Sequence, residues 1–215
     1  MPPTLLALLL LSGEAELSRL EPAPVALIMD IGGNRQIAFR RSFGGIEEFL
    51  KNTVEPSTPF YLITAERDAR VVSGIVTFPD SMIRTFRGAA FGYPVGERLG
   101  KPCRTKSGCS LRALWHSSTL AALGQVPGVR TPRAIVIMSS AKEGLKGEGS
   151  EEALEAARGS GIPVYFIQLA SEHFDDRVNP VIAHVARETG GQVFNAALVA
   201  MDTILAKLSE LLRVR

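Results

Sequence analysis

The apolar residues of this chain fall into short continuous runs that alternate with stretches of helical periodicity. Residues 25–29 and 134–138 are runs of strand length in which every position is apolar, a pattern typical of parallel strands that are buried on both faces. Residues 60–64 and 164–169 are mostly apolar runs of similar length. Between these runs, apolar residues recur every three or four positions, which places an apolar stripe along one side of a helix. We therefore predict a sheet that is covered by helices.

The helical periodicity predicts helices over residues 39–50, 111–124, 150–161, 179–190 and 201–212. Ser150 is expected to be the N-cap of the third, and Asn179 followed by Pro180 is a typical start for the fourth. Gly190 and Gly191 are expected to end that helix in a left-handed cap. Residues 79–108 are rich in glycine, proline and basic side chains and have no sustained period, which predicts a long surface loop.

Strands that alternate with helices predict an α/β protein with a doubly wound, Rossmann-like, mostly parallel six-stranded sheet and helices on both faces. The connection between the strands at 60–64 and 70–77 is too short for a crossover, so this hairpin supplies one antiparallel edge strand. In doubly wound sheets, ligands bind beyond the carboxyl ends of the strands, where the strand order reverses. Asp30 and the pair Ser139 and Ser140 follow two buried strands. We expect them to meet in one crevice.

Length and composition favour one domain. The chain has 215 residues, of which 46% are hydrophobic and 21% charged, enough for one well-buried α/β core. We assign that domain to residues 25–215 and treat residues 1–24 as a lead-in. The 24 basic residues nearly balance the 22 acidic ones, so no overall field attracts nucleic acid or an anionic membrane.

The lead-in contains an apolar run at residues 5–11, which is too short to span a bilayer. It has the apolar character of an export signal but no basic residue before it. Two interpretations stay open, an export signal and an apolar helical tail. Cys103 and Cys109 would close a small disulfide ring in an exported protein, and the alternative is two free thiols.

The usual signatures of an enzyme are missing from the sequence. Ser139, Ser140, His173 and His184 offer a nucleophile and a base, but there is no Gly-x-Ser-x-Gly elbow. Two glycines follow the first strand without the G-x-G-x-x-G pattern or a P-loop lysine. We therefore predict a protein that is not an enzyme. The alternative is a nucleotide- or small-molecule-binding enzyme that uses the crevice at Asp30 and Ser140.

The order of these elements resembles the von Willebrand factor type A (VWA) domain, as found in bacterial proteins. The resemblance depends on the strand that ends in Asp30, the hairpin at 60–76, the strand at 135–138, the Glu-Glu-Ala-Leu-Glu-Ala-Ala-Arg helix before Gly161-Ile162-Pro163, and the closing Glu188-Thr189-Gly190-Gly191. It implies a module for protein–protein recognition in an extracellular or periplasmic setting, with the cytoplasm as the alternative. The expected partner is another protein.

The resemblance also implies a divalent cation, held by an Asp-x-Ser-x-Ser turn, a threonine at a helix start and a second aspartate. The corresponding positions here are Asp30, Gly32, Asn34, Arg112 (or Ser110 if the register shifts by two) and Ser140. Hard cations require several oxygen ligands, usually with more than one carboxylate. We therefore predict a degenerate metal site and no cofactor, with weak binding of Mg²⁺ or Ca²⁺ left open.

Arg112 suggests how the fold keeps Asp30 without a cation. Its guanidinium at the threonine position would pair with the carboxylate of Asp30. The alternative is that Arg112 faces solvent and Asp30 caps the amides that follow it. The predicted binding rim comprises residues 32–35, the loop 89–110, Arg112 and residues 141–149, with Arg112, Arg35 or Lys142 contacting the partner.

Overall fold

The computed structural model describes residues 22–31, 59–66, 68–76, 84, 87–88, 96–100, 109–139, 149–169, 177–196 and 198–213. Within these ranges the elements are β1 (Val25–Asp30), β2 (Phe60–Ala65), β3 (Ala69–Val76), β4 (Glu97–Leu99), α1 (Cys109–Ala122), β5 (Ala134–Ser139), α2 (Ser150–Gly159), β6 (Val164–Gln168), α3 (Pro180–Glu188), β7 (Val193–Asn195) and α4 (Met201–Arg213). The helix predicted at 39–50 lies outside the described residues.

The strands form a mixed sheet in the order β4-β3-β2-β1-β5-β6-β7. β1 pairs in parallel with β2 and β5, and the parallel pairing continues from β5 to β6 and from β6 to β7. β3 runs antiparallel to both β2 and β4. The prediction of a doubly wound, mostly parallel α/β sheet with antiparallel pairing at one edge is confirmed.

Within the described ranges the sheet has seven strands, one more than the predicted six. The additional strand, β4, lies in the segment that was predicted to be a loop, and it places the reversed strand β3 one position inside the edge. β4 is too short to show periodicity, and its pairing with β3 and the contacts of nearby side chains hold it in place. Its Leu99 is buried, and Arg98 Nε lies 3.0 Å from Asp68 Oδ2. Arg70 Nη1 donates a hydrogen bond to the Gly96 carbonyl at 3.3 Å.

The two faces of the sheet carry separate apolar cores. Val25, Leu27 and Met29 of β1 pack on the side of α4, while Ala26 and Ile28 pack on the side of α1, α2 and α3. Helices therefore cover both faces, as predicted. Trp115 of α1 is 1% exposed and belongs to the second core. By the alternation along β1, Asp30 lies on the α1 side.

The helix ends follow the predicted chemistry at α3 but not at α2. The Asn179 side chain accepts a hydrogen bond from the Val181 amide at 2.9 Å and precedes a proline in the first turn. Gly190 follows α3 with a φ of 73°, as expected for a left-handed cap. At α2, however, the N-cap is Gly149 with a φ of 90°, and Ser150 is already helical. Glycine suits this position because of the positive φ and because a Cβ there would lie 3.3 Å from Trp115 Cβ.

Candidate functional site

The strand order reverses between β1 and β5. From β1 the chain proceeds to β2 on one side, whereas β6 and β7 follow β5 on the other side. Met29 lies opposite Met138 in the parallel register, so Asp30 and Ser139, the next residues, end the two central strands side by side. This is the position at which doubly wound sheets bind ligands.

Asp30 and Ser139 are joined by a short hydrogen bond. Ser139 Oγ donates to Asp30 Oδ2 at 2.6 Å, and both side chains are 0% exposed. A buried carboxylate requires such partners because its removal from water is costly. The backbone also holds this point, since the Ile31 amide donates to the Ala65 carbonyl at 2.9 Å. The predicted meeting of Asp30 with the end of the 134–138 strand therefore occurs through Ser139.

Two further polar residues continue this line across the sheet. Ser139 lies opposite Gln168 of β6, and Gln168 lies opposite Asn195 of β7. Gln168 and Asn195 are the last residues of their strands, and both are 7% exposed. We call Asp30, Ser139, Gln168 and Asn195 the terminal polar row. Sequence reasoning missed Gln168 and Asn195, although each follows apolar strand residues in the same way as Asp30.

The other predicted site residues are only partly covered. Arg112 lies in the first turn of α1 with an exposed side chain, and Ser110 belongs to the same turn, its side chain lying outside the described residues. Gly32, Asn34, Arg35, Ser140 and Lys142 also lie outside the described residues. The structure thus brings Asp30 and Ser139 together, and the pairing of Arg112 with Asp30 stays a prediction.

The chain is similar to several solved structures. No protein-family model and no curated protein matches the chain. An aerotolerance-related membrane protein from Bacteroides fragilis matches at 16% identity and a TM-score of 0.61, over 90% of this chain and 100% of that one. BatB from Bacteroides thetaiotaomicron matches at 14% identity and a TM-score of 0.57, over 89% and 99%. A von Willebrand factor type A structure from Catenulispora acidiphila matches at 13% identity and a TM-score of 0.53, over 89% and 42%. The chain has a VWA fold.

The VWA fold implies a divalent cation near the carboxyl end of β1. Of the described residues, Asp30 and Ser139 offer one carboxylate and one hydroxyl there, and the hydroxyl donates to the carboxylate. Within the described ranges, no group of three or more His, Cys, Asp or Glu side chains is placed to hold a metal ion. Asp30 and Ser139 alone do not fit Mg²⁺, which requires a near-octahedral shell of oxygen ligands. Of the remaining positions of the VWA site, Gly32, Asn34 and Ser140 lie outside the described residues, and Arg112 offers no oxygen ligand.

Cys109, the first residue of α1, is disulfide-bonded. The sequence contains one other cysteine, Cys103, which lies outside the described residues. Among the helices that the structure describes, none combines the length and the apolar character needed to cross a membrane.

Proposed function

We propose that this VWA module is not an enzyme. It recognises another protein through the surface at the carboxyl ends of its strands, without tightly bound Mg²⁺. The observation that supports this proposal is the hydrogen bond between Ser139 and Asp30. Asp30, the carboxylate that the VWA resemblance assigns as a ligand of the cation, is fully buried and accepts a hydrogen bond from Ser139 Oγ of the neighbouring strand at 2.6 Å.

The residues around this pair also support a site without a cation. At the position of the second aspartate the chain has Ser140, which removes one negative charge from the ligand set, and the affinity for a hard cation depends on that charge. The predicted rim instead contains the cationic residues Arg35, Arg112 and Lys142. We propose that these side chains contact acidic residues of the partner, in the role that a bound cation has in other VWA domains.

We also propose an extracellular or periplasmic setting for the module. The disulfide at Cys109 supports an oxidising compartment, because structural disulfides are rare in the cytosol of most organisms. Thiol labelling of the protein isolated from its native cells tests this proposal. Labelling of Cys109 without prior reduction would contradict it.

Calorimetric titration with Mg²⁺ and Mn²⁺ tests the degenerate metal site. The wild type is expected to show no binding up to millimolar concentrations. A variant that restores the motif, with Gly32→Ser, Asn34→Ser, Arg112→Thr and Ser140→Asp, is expected to bind, and adding Asp30→Asn to it is expected to abolish that binding. Arg112→Thr alone reports whether the guanidinium substitutes for the cation. Millimolar or tighter binding by the wild type would refute the proposal.

A pull-down from native extract tests the recognition surface. Arg35→Glu combined with Lys142→Glu is expected to lose the partner while circular dichroism remains unchanged. A matched control reverses two exposed charges on α4, Lys207→Glu with Arg213→Glu. If the rim variant retains the partner, or if the control variant loses it equally, the interface lies elsewhere.

The position of Asp30 and Ser139 at the reversal of strand order is also where doubly wound enzymes bind nucleotides. A thermal-shift screen with ATP and NAD separates the two functions. We expect no change in the melting temperature. A shift that Asp30→Asn removes would favour the enzyme.

A further inference from the structure

Few contacts of its own residues hold β4 on the sheet. The strand has three residues and pairs with β3 at one end of the described strand order. Glu97 and Arg98 are exposed, and Leu99 is the buried side chain of the strand. A pairing of this length is marginal, and an ion pair at the surface, such as that of Arg98 with Asp68, adds little to it. The position of β4 therefore depends on how the strand is joined to the rest of the fold.

The helix that follows β4 is firmly held. Ala113, Leu114 and Trp115 of α1 are buried and belong to the second core. The chain leaves β4 close to this helix, because a Cβ on Gly100 would lie 2.8 Å from Nε2 of His116. α1 is therefore a fixed support beside the end of β4.

The disulfide at Cys109 connects β4 to this support. Cys109 is the first residue of α1 and is disulfide-bonded, and the one other cysteine in the sequence is Cys103. Nine residues, 100–108, separate β4 from α1, whereas only three, 100–102, separate β4 from Cys103. Because the entropic cost of closing a loop rises with its length, a connection of three residues instead of nine raises the effective concentration of β4 beside β3 by about fivefold.

We propose that the bond between Cys103 and Cys109 is an oxidation-dependent lock on β4. The reduced chain folds with the other six strands of the described sheet, and oxidation then fixes β4 against β3. In this step the two thiols pass two electrons and two protons to a disulfide-bearing oxidant. One S–S bond forms between the cysteines, and the S–S bond of the oxidant breaks to give a dithiol. In the proposed exported setting, oxidation thus completes this edge of the sheet.

The lock also affects partner recognition, and this part of the inference rests on the proposed function. β4 lies within the predicted rim loop 89–110, and Arg112 of the same rim lies in the first turn of α1, three residues after Cys109. The disulfide therefore joins two parts of the proposed recognition surface. We expect the reduced protein to retain less of the partner than the oxidised protein in the pull-down.

Hydrogen–deuterium exchange of the full chain, read by mass spectrometry, tests the lock. Oxidised and reduced protein are compared, and alkylation of free thiols verifies the redox state. We expect the amides of β4 to exchange about fivefold faster after reduction, whereas β1 and β5 stay protected over the same labelling times. Cys103→Ser and Cys109→Ser each break the bond, so both are expected to reproduce the exchange of the reduced protein without any reductant.

Two controls make the result specific. Reductant added to the Cys103→Ser variant is expected to change nothing further, which separates loss of the bond from other effects of the reductant. If circular dichroism shows that Cys109→Ser disturbs α1, the Cys103→Ser variant decides, because Cys103 lies outside that helix.

The lock and the proposed function fail in different experiments. Equal exchange of β4 in the oxidised and reduced protein would overturn the lock and leave the proposed function intact. Loss of protection in β1 and β5 together with β4 would also overturn it, because the bond would then stabilise the whole domain. Equal retention of the partner by both redox forms would contradict the link to the rim. Retention of the partner by Arg35→Glu combined with Lys142→Glu refutes the proposed recognition surface without changing the exchange result.

Discussion

The hydrogen bond between Ser139 and Asp30 should contribute measurably to stability. Ser139→Ala removes the hydroxyl that donates to Asp30 Oδ2 at 2.6 Å and introduces no new donor. Both side chains are 0% exposed, so water does not readily replace the lost bond. A hydrogen bond to a charged group contributes about 1.5–3 kcal/mol. We expect the free energy of unfolding to fall by about that amount.

A second buried serine provides a matched control. Ser118 of α1 is also 0% exposed, but its Oγ has no hydrogen-bond partner among the described residues. Ser118→Ala makes the same chemical change without removing a bond. We expect it to alter the free energy of unfolding by less than about 0.5 kcal/mol, or to stabilise the protein, because an unsatisfied polar group is removed.

Urea denaturation followed by circular dichroism measures both variants. Ser139→Ala is expected to lower the midpoint with an unchanged m-value, and to lower the melting temperature by about 3–12 °C in a domain of this size. Equal free energies of unfolding for the two alanine variants would refute the reasoning. In that case the bond at the centre of the site would contribute nothing to the fold.

Other perturbations test the elements around the site. Asn179→Ala removes the side chain that caps the Val181 amide and should cost about 1 kcal/mol in chemical denaturation, whereas Asn179→Asp should not. Gly191→Ala places a Cβ within 2.0 Å of the Val164 carbonyl oxygen. It should cost about 1–3 kcal/mol or more by the same measurement. Burial raises the pKa of the Tyr61 phenol above its usual 10.0, so the unfolded chain ionises first and stability falls as the pH rises past about 10. Tyr61→Phe should reduce that fall in alkaline melting curves without lowering the melting temperature at neutral pH.

The buried strands could be predicted because both faces of the sheet are covered. Every residue of β1 and β5 is buried, and each strand is a continuous apolar run up to its polar last residue. β4 could not be found in this way, because Glu97 and Arg98 are exposed and its pairing with β3 holds it in place. The prediction of Ser150 as the N-cap of α2 was also wrong. The N-cap is Gly149, and the preference for glycine there depends on the position of Trp115 in the folded protein.

The centre of the candidate site followed from topology alone. Two buried strands that end in polar residues are brought together by the reversal of strand order, and this was enough to predict that Asp30 meets the end of β5. Gln168 and Asn195 were missed because the pattern does not mark where their strands end: Gln168 lies inside the run 164–169, and the last strand has only three residues. Only the register across β5, β6 and β7 shows that they continue the terminal polar row. The direction of the long Arg112 side chain cannot be deduced from spacing.

The distance along the chain between Asp30 and Ser139 has a consequence for biosynthesis. The two residues are 109 positions apart, and β5 covers the edge of β1 that β2 leaves open. At a ribosomal rate of about 5–20 residues per second, that edge stays uncovered for roughly 5–20 s after β1 is made. A nascent chain in this interval presents an unpaired apolar strand, to which chaperones bind and which promotes aggregation. Slower translation between the two strands should therefore lower the yield of native protein more than slower translation after β5.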